Sequence, residues 1–252
     1  MSKLIALMTL IALVTASASA VETTVRVMSW NLEGWAQDVT SAKAQALEIA
    51  NSGAQIYGAQ ECEPSLVPTY TSELERLTGK TWYVSPFNNA PQVFSTYPQV
   101  ESEWKDIGRN TWGANRTATR VKLNIGGVLV NVFNTHLDIG GPPEWGEGYR
   151  TENIAIIMPW MRTFAGPKLF VGDMNSHWDT YWITEIQKDY IDTWSETSNP
   201  QGWSAPPSNS ANWRPDYIFR SKDSTSVIRT VSSWIIDSSW DLSDHRPVMV
   251  DI

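Results

Sequence analysis

The stretch that most narrows the possible folds is Leu169-Phe170-Val171-Gly172-Asp173-Met174-Asn175-Ser176, an apolar run that halts on a glycine and then presents an acid and an amide. Apolar, rich in strand-forming residues and bounded by turn formers, it reads as a buried strand. Side chains two apart at a strand end point the same way, so Asp173 and Asn175 can hold a cation and a phosphate oxygen together. A single Gly-Asp-x-Asn is equally the signature of an Asx turn. The pattern gains meaning because four other strand ends in the chain also finish in an acid, an amide or a histidine.

Taken in order, residues 24–31 alternate as a strand and end on Asn31. Residues 38–51 carry apolar side chains at helical spacing, with Thr40 or Ser41 as the expected cap and Gly53 as terminator. A strand over 55–60 delivers Glu61, and a helix over 64–78 stops at Gly79. Two weak strands are expected at 82–84 and 93–96, and a loop at 106–114. The strand 118–125, flanked by Arg116 and Arg120, turns through Gly126-Gly127 into 128–135, a hairpin signal that ends in Thr135-His136-Leu137-Asp138. A glycine- and proline-rich loop, 139–148, is long enough to border a cleft. An amphipathic helix over 149–164 follows, with a kink expected at Pro159. His177, Trp178 and Asp179 are expected to begin another helix, and 199–212 to form a polar surface loop. Strands are expected at 215–219, opening on Asp216, at 227–236, and at 248–252, preceded by Ser243-Asp244-His245-Arg246-Pro247.

Residues 1–20 have one early charge, Lys3, an apolar stretch over 4–14, and small residues up to Ala20. That is the pattern of a secretory signal cut after Ala20, too short and wrongly flanked to span a membrane. Removing 20 of the 252 residues leaves 232, enough for one domain over 21–252, and no linker composition divides them. The expected product is secreted, extracellular or periplasmic, with no stable membrane insertion, and is a monomer. Its 27 acidic against 18 basic residues give a formal charge of −9, so the chain as a whole does not attract a polyanion. Metal ions and a local basic cluster must offset that charge if the substrate carries phosphate. Cys62 is the only cysteine, which excludes an internal disulfide and leaves stability to a packed core. Most of the fourteen tryptophans are expected in packing, with a minority left to stack on a ring-bearing ligand.

Together the strand ends contribute Asn31, Glu61, His136, Asp173, Asn175, Asp216, Asp244 and His245. In layered α/β structures such ends line one edge of the sheets, where they can converge. Hard oxygen ligands favour Mg²⁺, Mn²⁺ or Ca²⁺, and the lack of clustered Cys and His argues against structural zinc. Phosphoryl transfer to water is the chemistry that most needs this combination.

The set Ser29-Trp30-Asn31, Gln60-Glu61, Thr135-His136-Leu137, Gly172-Asp173-Met174-Asn175, Asp216-Tyr217-Ile218 and Ser243-Asp244-His245-Arg246-Pro247 resembles the endonuclease/exonuclease/phosphatase superfamily, the deoxyribonuclease I-like fold. The resemblance runs the length of the chain beyond residue 20. It implies a four-layer α/β/β/α sandwich, with two mostly antiparallel sheets packed face to face, and Mg²⁺-dependent cleavage of a phosphoester. By the same resemblance Asn31 and Glu61 hold the metal region, with Glu61 as ligand, and Asp244 is a further acidic or metal-proximal group. Asp173 and Asn175 position water and phosphate. His245, oriented by Asp216, acts as general acid/base or phosphate-binding imidazolium; His136 faces the scissile phosphate, and Arg116 binds phosphate. Deoxyribonuclease I-like enzymes support the first histidine with a second glutamate, for which Glu101 and Glu103 are the candidates here.

Three functions compete. The first is a secreted metal-dependent nuclease acting on DNA or RNA. The second is a sphingomyelin or phospholipid phosphodiesterase, or a phosphomonoesterase, of the same superfamily. The third is a catalytically silent secreted binding protein, against which the presence of every matched position argues.

Overall fold

The computed structural model describes residues 23–86, 91–140, 148–197, 202–205, 213–237 and 241–252. The expected signal at 1–20 lies outside the described residues, as does most of the loops at 139–148 and 199–212.

Strands form where apolar and polar side chains alternate. One sheet contains β1 (Arg26–Asn31), β2 (Ile56–Gln60), β3 (Tyr83–Val84), β4 (Gln92–Ser95), β11 (Ser232–Ile235) and β12 (Val248–Asp251), in the order β11-β12-β1-β2-β4-β3. The other contains β5 (Gln99–Arg109), β6 (Asn115–Ile125), β7 (Val128–His136), β8 (Lys168–Asp173), β9 (Tyr190–Asp192) and β10 (Asp216–Ser221), in the order β5-β6-β7-β8-β10-β9. Every neighbouring pair is antiparallel except β1–β2 and β7–β8.

Alternation sorts each strand's side chains between two layers. Val27, Ile56, Val132, Val171, Ile218 and Val250 meet between the sheets. Met28, Trp30, Tyr57 and Met249 face the other way, against α1 (Val39–Ser52) and α2 (Val67–Thr78). Phe133, Phe170, Tyr217 and Phe219 likewise pack on α3 (Arg150–Arg162) and α4 (Tyr181–Gln187). The result is the expected α/β/β/α sandwich, and each fully buried Val, Ile or Phe contributes about 1.5–3 kcal/mol. Gly58, at the inter-sheet face of β2, lets the sheets approach closely. A Cβ there would stand 2.3 Å from Val171 Cγ2.

Several local expectations change. Asp38 caps α1, rather than Thr40 or Ser41, by accepting from Ser41 N, while Ser41 Oγ accepts from Asp38 N. Such a box is worth about 1 kcal/mol. The expected loop at 106–114 is strand as far as Arg109. β5 was concealed because it is an edge strand that carries Glu101, Glu103, Lys105 and Asp106 among its apolar residues, and such charges discourage edge pairing. His177 to Asp179 form a turn, with α4 starting at Tyr181. Within the expected 227–236 strand only Ser232–Ile235 pairs, and the short β9 was not foreseen.

This topology brings the polar strand ends together. The parallel pairs β1–β2 and β7–β8 place their C-terminal ends side by side, with Asn31 opposite Gln60 and His136 opposite Asp173. β10 runs against β8, so its first residue, Asp216, lies opposite Asp173. β12 runs against β1, so the segment 243–245 that precedes it returns beside Asn31.

Candidate active site

Asn31, His136, Asp173 and Asp216 share strand parity with the inter-sheet residues, so they occupy the mouth of the slot between the sheets. Asn31 bridges it. Its Nδ2 donates to Asp173 Oδ2 at 3.1 Å and to Glu61 Oε1 at 3.3 Å, while its Oδ1 accepts from Glu33 N at 3.0 Å. Because the Glu33 N–H needs an acceptor, the amide orientation is fixed and Asn31 acts by donating to the carboxylates. Glu61 is turned inward by a left-handed backbone and is also held by Gly34 N at 3.1 Å. Among the described residues the non-glycine positions with positive φ are Glu33, Glu61 and Asn175, all at this edge. Each costs about 1–3 kcal/mol, and such residues gather where function fixes geometry.

His245 and Asp216 form a carboxylate–histidine pair, Nδ1 to Oδ2 at 2.8 Å. Ser204 Oγ donates to the same oxygen at 2.6 Å, and Ser243 Oγ accepts from His245 N at 3.0 Å while donating to Asn31 O at 2.7 Å. Nε2 of His245 then faces Asp173 Oδ2 at 3.8 Å, and Nε2 of His136 faces the same atom at 3.4 Å. The backbone N–H of Asn175 satisfies Asp173 Oδ1 at 2.8 Å, and Asn175 Nδ2 donates to Leu137 O at 3.0 Å.

The two imidazoles are in opposite states. Burial, then Arg116 and His245, hold His136 well below the ordinary histidine pKa, so it is neutral. Burial also works against charge on His245, but Asp216, Asp173 and Asp244 outweigh it and raise its pKa, so it is a cation. Burial and then Asp216 push Asp173 upward, against the pull of His245. Burial and neighbouring carboxylates likewise raise Glu33 and Asp244 at the rim. Arg116, at the start of β6, is half-buried in the field of Asp173, Glu61 and Asp138, and its buried Nε has no hydrogen-bond partner among the described residues.

Asp173, Asp216 and His245 offer three ligand-type atoms within 4.8 Å of one another. A protonated imidazole cannot ligate, and Nδ1 already binds Asp216, so this trio suits proton handling better than metal binding. The oxygens of Glu61 and Asp244 are hard donors, and the Glu61 charge adds to the burial that raises the pKa of Asp244 and of Glu33, so a divalent cation fits that donor set. The sequence expectation of Glu101 or Glu103 as support for His136 fails. Both pair with Arg120 on the outer hairpin, and the acids beside His136 are Glu61, 3.7 Å from Nδ1, and Asp173. Sequence reading missed Ser204 and Glu33; Glu33 Oε2 accepts from Asp244 N, 211 residues away, at 2.9 Å.

This arrangement of two face-to-face sheets between helices is shared with a class of solved proteins. An endonuclease/exonuclease/phosphatase family protein from Leptotrichia buccalis is similar over 90% of this chain and 98% of its own, with a TM-score of 0.72 and 16% identity. A mannosyl-6-phosphatase from Bacteroides thetaiotaomicron matches over 90% and 99%, with a TM-score of 0.67 and 16% identity. TDP2 from D. rerio, solved with a single-strand DNA product, matches over 91% and 99%, with a TM-score of 0.69 and 14% identity. No protein-family model and no curated protein matches the sequence. The chain therefore has the fold of the endonuclease/exonuclease/phosphatase proteins.

Proposed function

We propose that this chain is a secreted member of that family, a divalent-metal-dependent phosphoric ester hydrolase acting on phosphodiesters, with DNA or RNA the favoured substrate. The observation that carries the reading is the meeting of a neutral His136, a cationic His245 and Asp173 at one point, beside Glu61 and Asn31. Nucleic acid is favoured because a structural neighbour was solved with a single-strand DNA product; the mannosyl-6-phosphatase neighbour supports a phosphomonoester as the second reading.

Glu61, with Asp244 nearby, would hold a divalent cation, which when bound would supply charge stabilisation for the phosphoryl oxygens. Asn31 keeps the Glu61 and Asp173 carboxylates in register across the two sheets. Asp173, its pKa raised towards neutrality, orients the attacking water and takes its proton. His245, locked by Asp216 and Ser204, donates from Nε2 to a phosphate oxygen. Arg116 offers a guanidinium to the same charge, and neutral His136 hydrogen-bonds without adding repulsion to its neighbour.

The test is residues 21–252 incubated with plasmid DNA, RNA, sphingomyelin and mannose 6-phosphate, with Mg²⁺ and with EDTA. Cleavage of nucleic acid that EDTA abolishes is expected, and His245→Ala or Asp173→Asn should lower it by about 10²–10⁴-fold. Full activity in either folded variant would refute the assignment.

A further inference from the structure

We propose that Asp138 is a positioning residue, whose buried carboxylate ties together the three segments that carry His136, Arg116 and Asn175 and so sets the geometry of the phosphate grip. The word phosphate rests on the function proposed above; the tie itself rests on the hydrogen bonds.

Asp138 stands two residues beyond His136 and is fully buried. Its Oδ1 accepts from Thr111 N at 2.8 Å, and its Oδ2 accepts from Thr111 Oγ at 2.8 Å and from Tyr149 N at 2.9 Å. Thr111 belongs to the turn that Asn110 closes, with Asn110 N donating to Ala114 O at 2.7 Å and Asn110 Oδ1 accepting from Ala114 N at 2.8 Å. Arg116 lies two residues beyond that turn. Tyr149 precedes α3, whose first residue, Arg150, lays its guanidinium on the Trp182 ring at 4.1 Å and donates to the carbonyl oxygen of Asn175. The backbone of Asp138 joins the same knot. Its N–H donates to Asn153 Oδ1 at 3.1 Å, and Asn153 Nδ2 donates to Ile107 O at 2.8 Å in β5.

All three partners of the side chain are donors, so the position needs an acceptor on both oxygens. A carboxylate meets that need; an amide of the same shape turns its NH₂ against one or two of the donors. There is little room to adjust, since a Cβ at Gly148 would stand 2.5 Å from Asp138 Oδ2. No bond from this side chain reaches Asp173, Asp216 or His245; they feel its loss only at second hand, through the segments it holds, so kcat should change less than KM.

Asp138→Asn should therefore raise KM for a phosphodiester about tenfold, the worth of one or two lost hydrogen bonds, with kcat within about threefold. Inorganic phosphate, measured by calorimetry, should bind more weakly by the same factor. Thr111→Val, which removes only the hydroxyl bond, should move both in the same direction by about two- to threefold. A purely structural role would lower the melting temperature and the active fraction while leaving KM and phosphate affinity unchanged, and that result overturns the proposal. If Asp138→Asn does not fold, Thr111→Val decides by the same criterion. If the unmutated protein binds phosphate but hydrolyses no phosphoester, the function reading fails alone and the phosphate comparison still decides. If it does neither, both fall.

Discussion

Everything placed at the slot depends on how closely the two sheets approach, and Gly58→Ala probes that distance. The new Cβ would lie 2.3 Å from Val171 Cγ2 and 3.2 Å from Asn134 Oδ1. Carbon atoms in contact sit ~3.5–4.0 Å apart, so the gap is short by more than ~1 Å. Val171 cannot turn away cheaply, because a β-branched side chain in a packed strand has little rotamer freedom. Overpacking of this kind costs about 2–3 kcal/mol, and about 0.5–1 kcal/mol returns from the glycine's lost flexibility in the unfolded chain. A net loss of roughly 2 kcal/mol is expected, which for a chain of this size lowers Tm by about 4–8 °C. The same strain reaches the site, at Asp173 two residues on from Val171 and at Glu61 three on from Gly58. Asn31 Nδ2 and Asp173 Oδ2 are 3.1 Å apart across the slot, and ~1 Å of separation breaks that bond. Activity should then fall by up to about 10²-fold. Calorimetry and phosphodiesterase assays on Gly58→Ala, Val171→Ala and the double variant form the measurement. Removing Val171 Cγ2 makes room for the new methyl, so the double variant should be markedly more stable than the sum of the single losses implies. A Gly58→Ala protein as stable as the original, or strict additivity in the cycle, would refute the packing that the site is built on.

Three further outcomes follow from the same geometry. Glu103→Gln should leave kcat unchanged within about twofold, since its partner is Arg120 and not His136; an activity loss in kinetic assays would restore it as a site residue. Asp192→Ala strands the Arg214 guanidinium, buried against the Tyr217 ring and donating to Asp216 O at 3.1 Å, and should cost about 3–5 kcal/mol in urea unfolding. For Asp138, burial pushes the pKa up, but bonds from Tyr149 and Thr111 and the Arg116 charge outweigh it and hold it below the ordinary value. A lowered folded pKa means stability present above the unfolded value, about 3.9, and lost as pH falls through the folded one. Asp138→Asn should therefore show a shallower loss of Tm between about pH 5 and pH 2 than the unmutated protein, and parallel curves would contradict the assignment.

The residues of the slot were legible because each is both a local signal and a strand end. Asn31, Glu61, His136, Asp173 and Asp216 all border apolar runs, and their shared edge follows once those runs are strands in layered sheets. Their partners were not legible for the opposite reason. Ser204 looks like any serine in a polar stretch, and only the chain's return 12 residues later makes it a donor to Asp216. Glu33 meets Asp244 across 211 residues, a pairing no local pattern encodes. Asp138 did carry a faint signal, an acid just past His136, but the three donors that define its job come from elements before and after it.

Register is what converts the legible part into a site, because a one-residue slip would exchange Asn31 for Trp30 and carry every functional side chain to the helix-covered face. The chain guards against that slip just beneath the slot. Asn134 Nδ2 donates to Ala59 O at 2.9 Å and to Gln92 O at 2.7 Å, and its Oδ1 accepts from Gln60 Nε2 at 2.7 Å. These groups are fully buried or nearly so, in the layer between the apolar inter-sheet core and the polar mouth. A slipped strand would leave them facing apolar neighbours at about 1–3 kcal/mol for each unsatisfied group. The apolar core alone tolerates many alignments of Val against Ile; the amide layer tolerates one. Asn134 and Gln60 therefore bear on function without reaching the reaction, by making the alignment that stacks Asn31 over Asp173 the alignment of lowest energy.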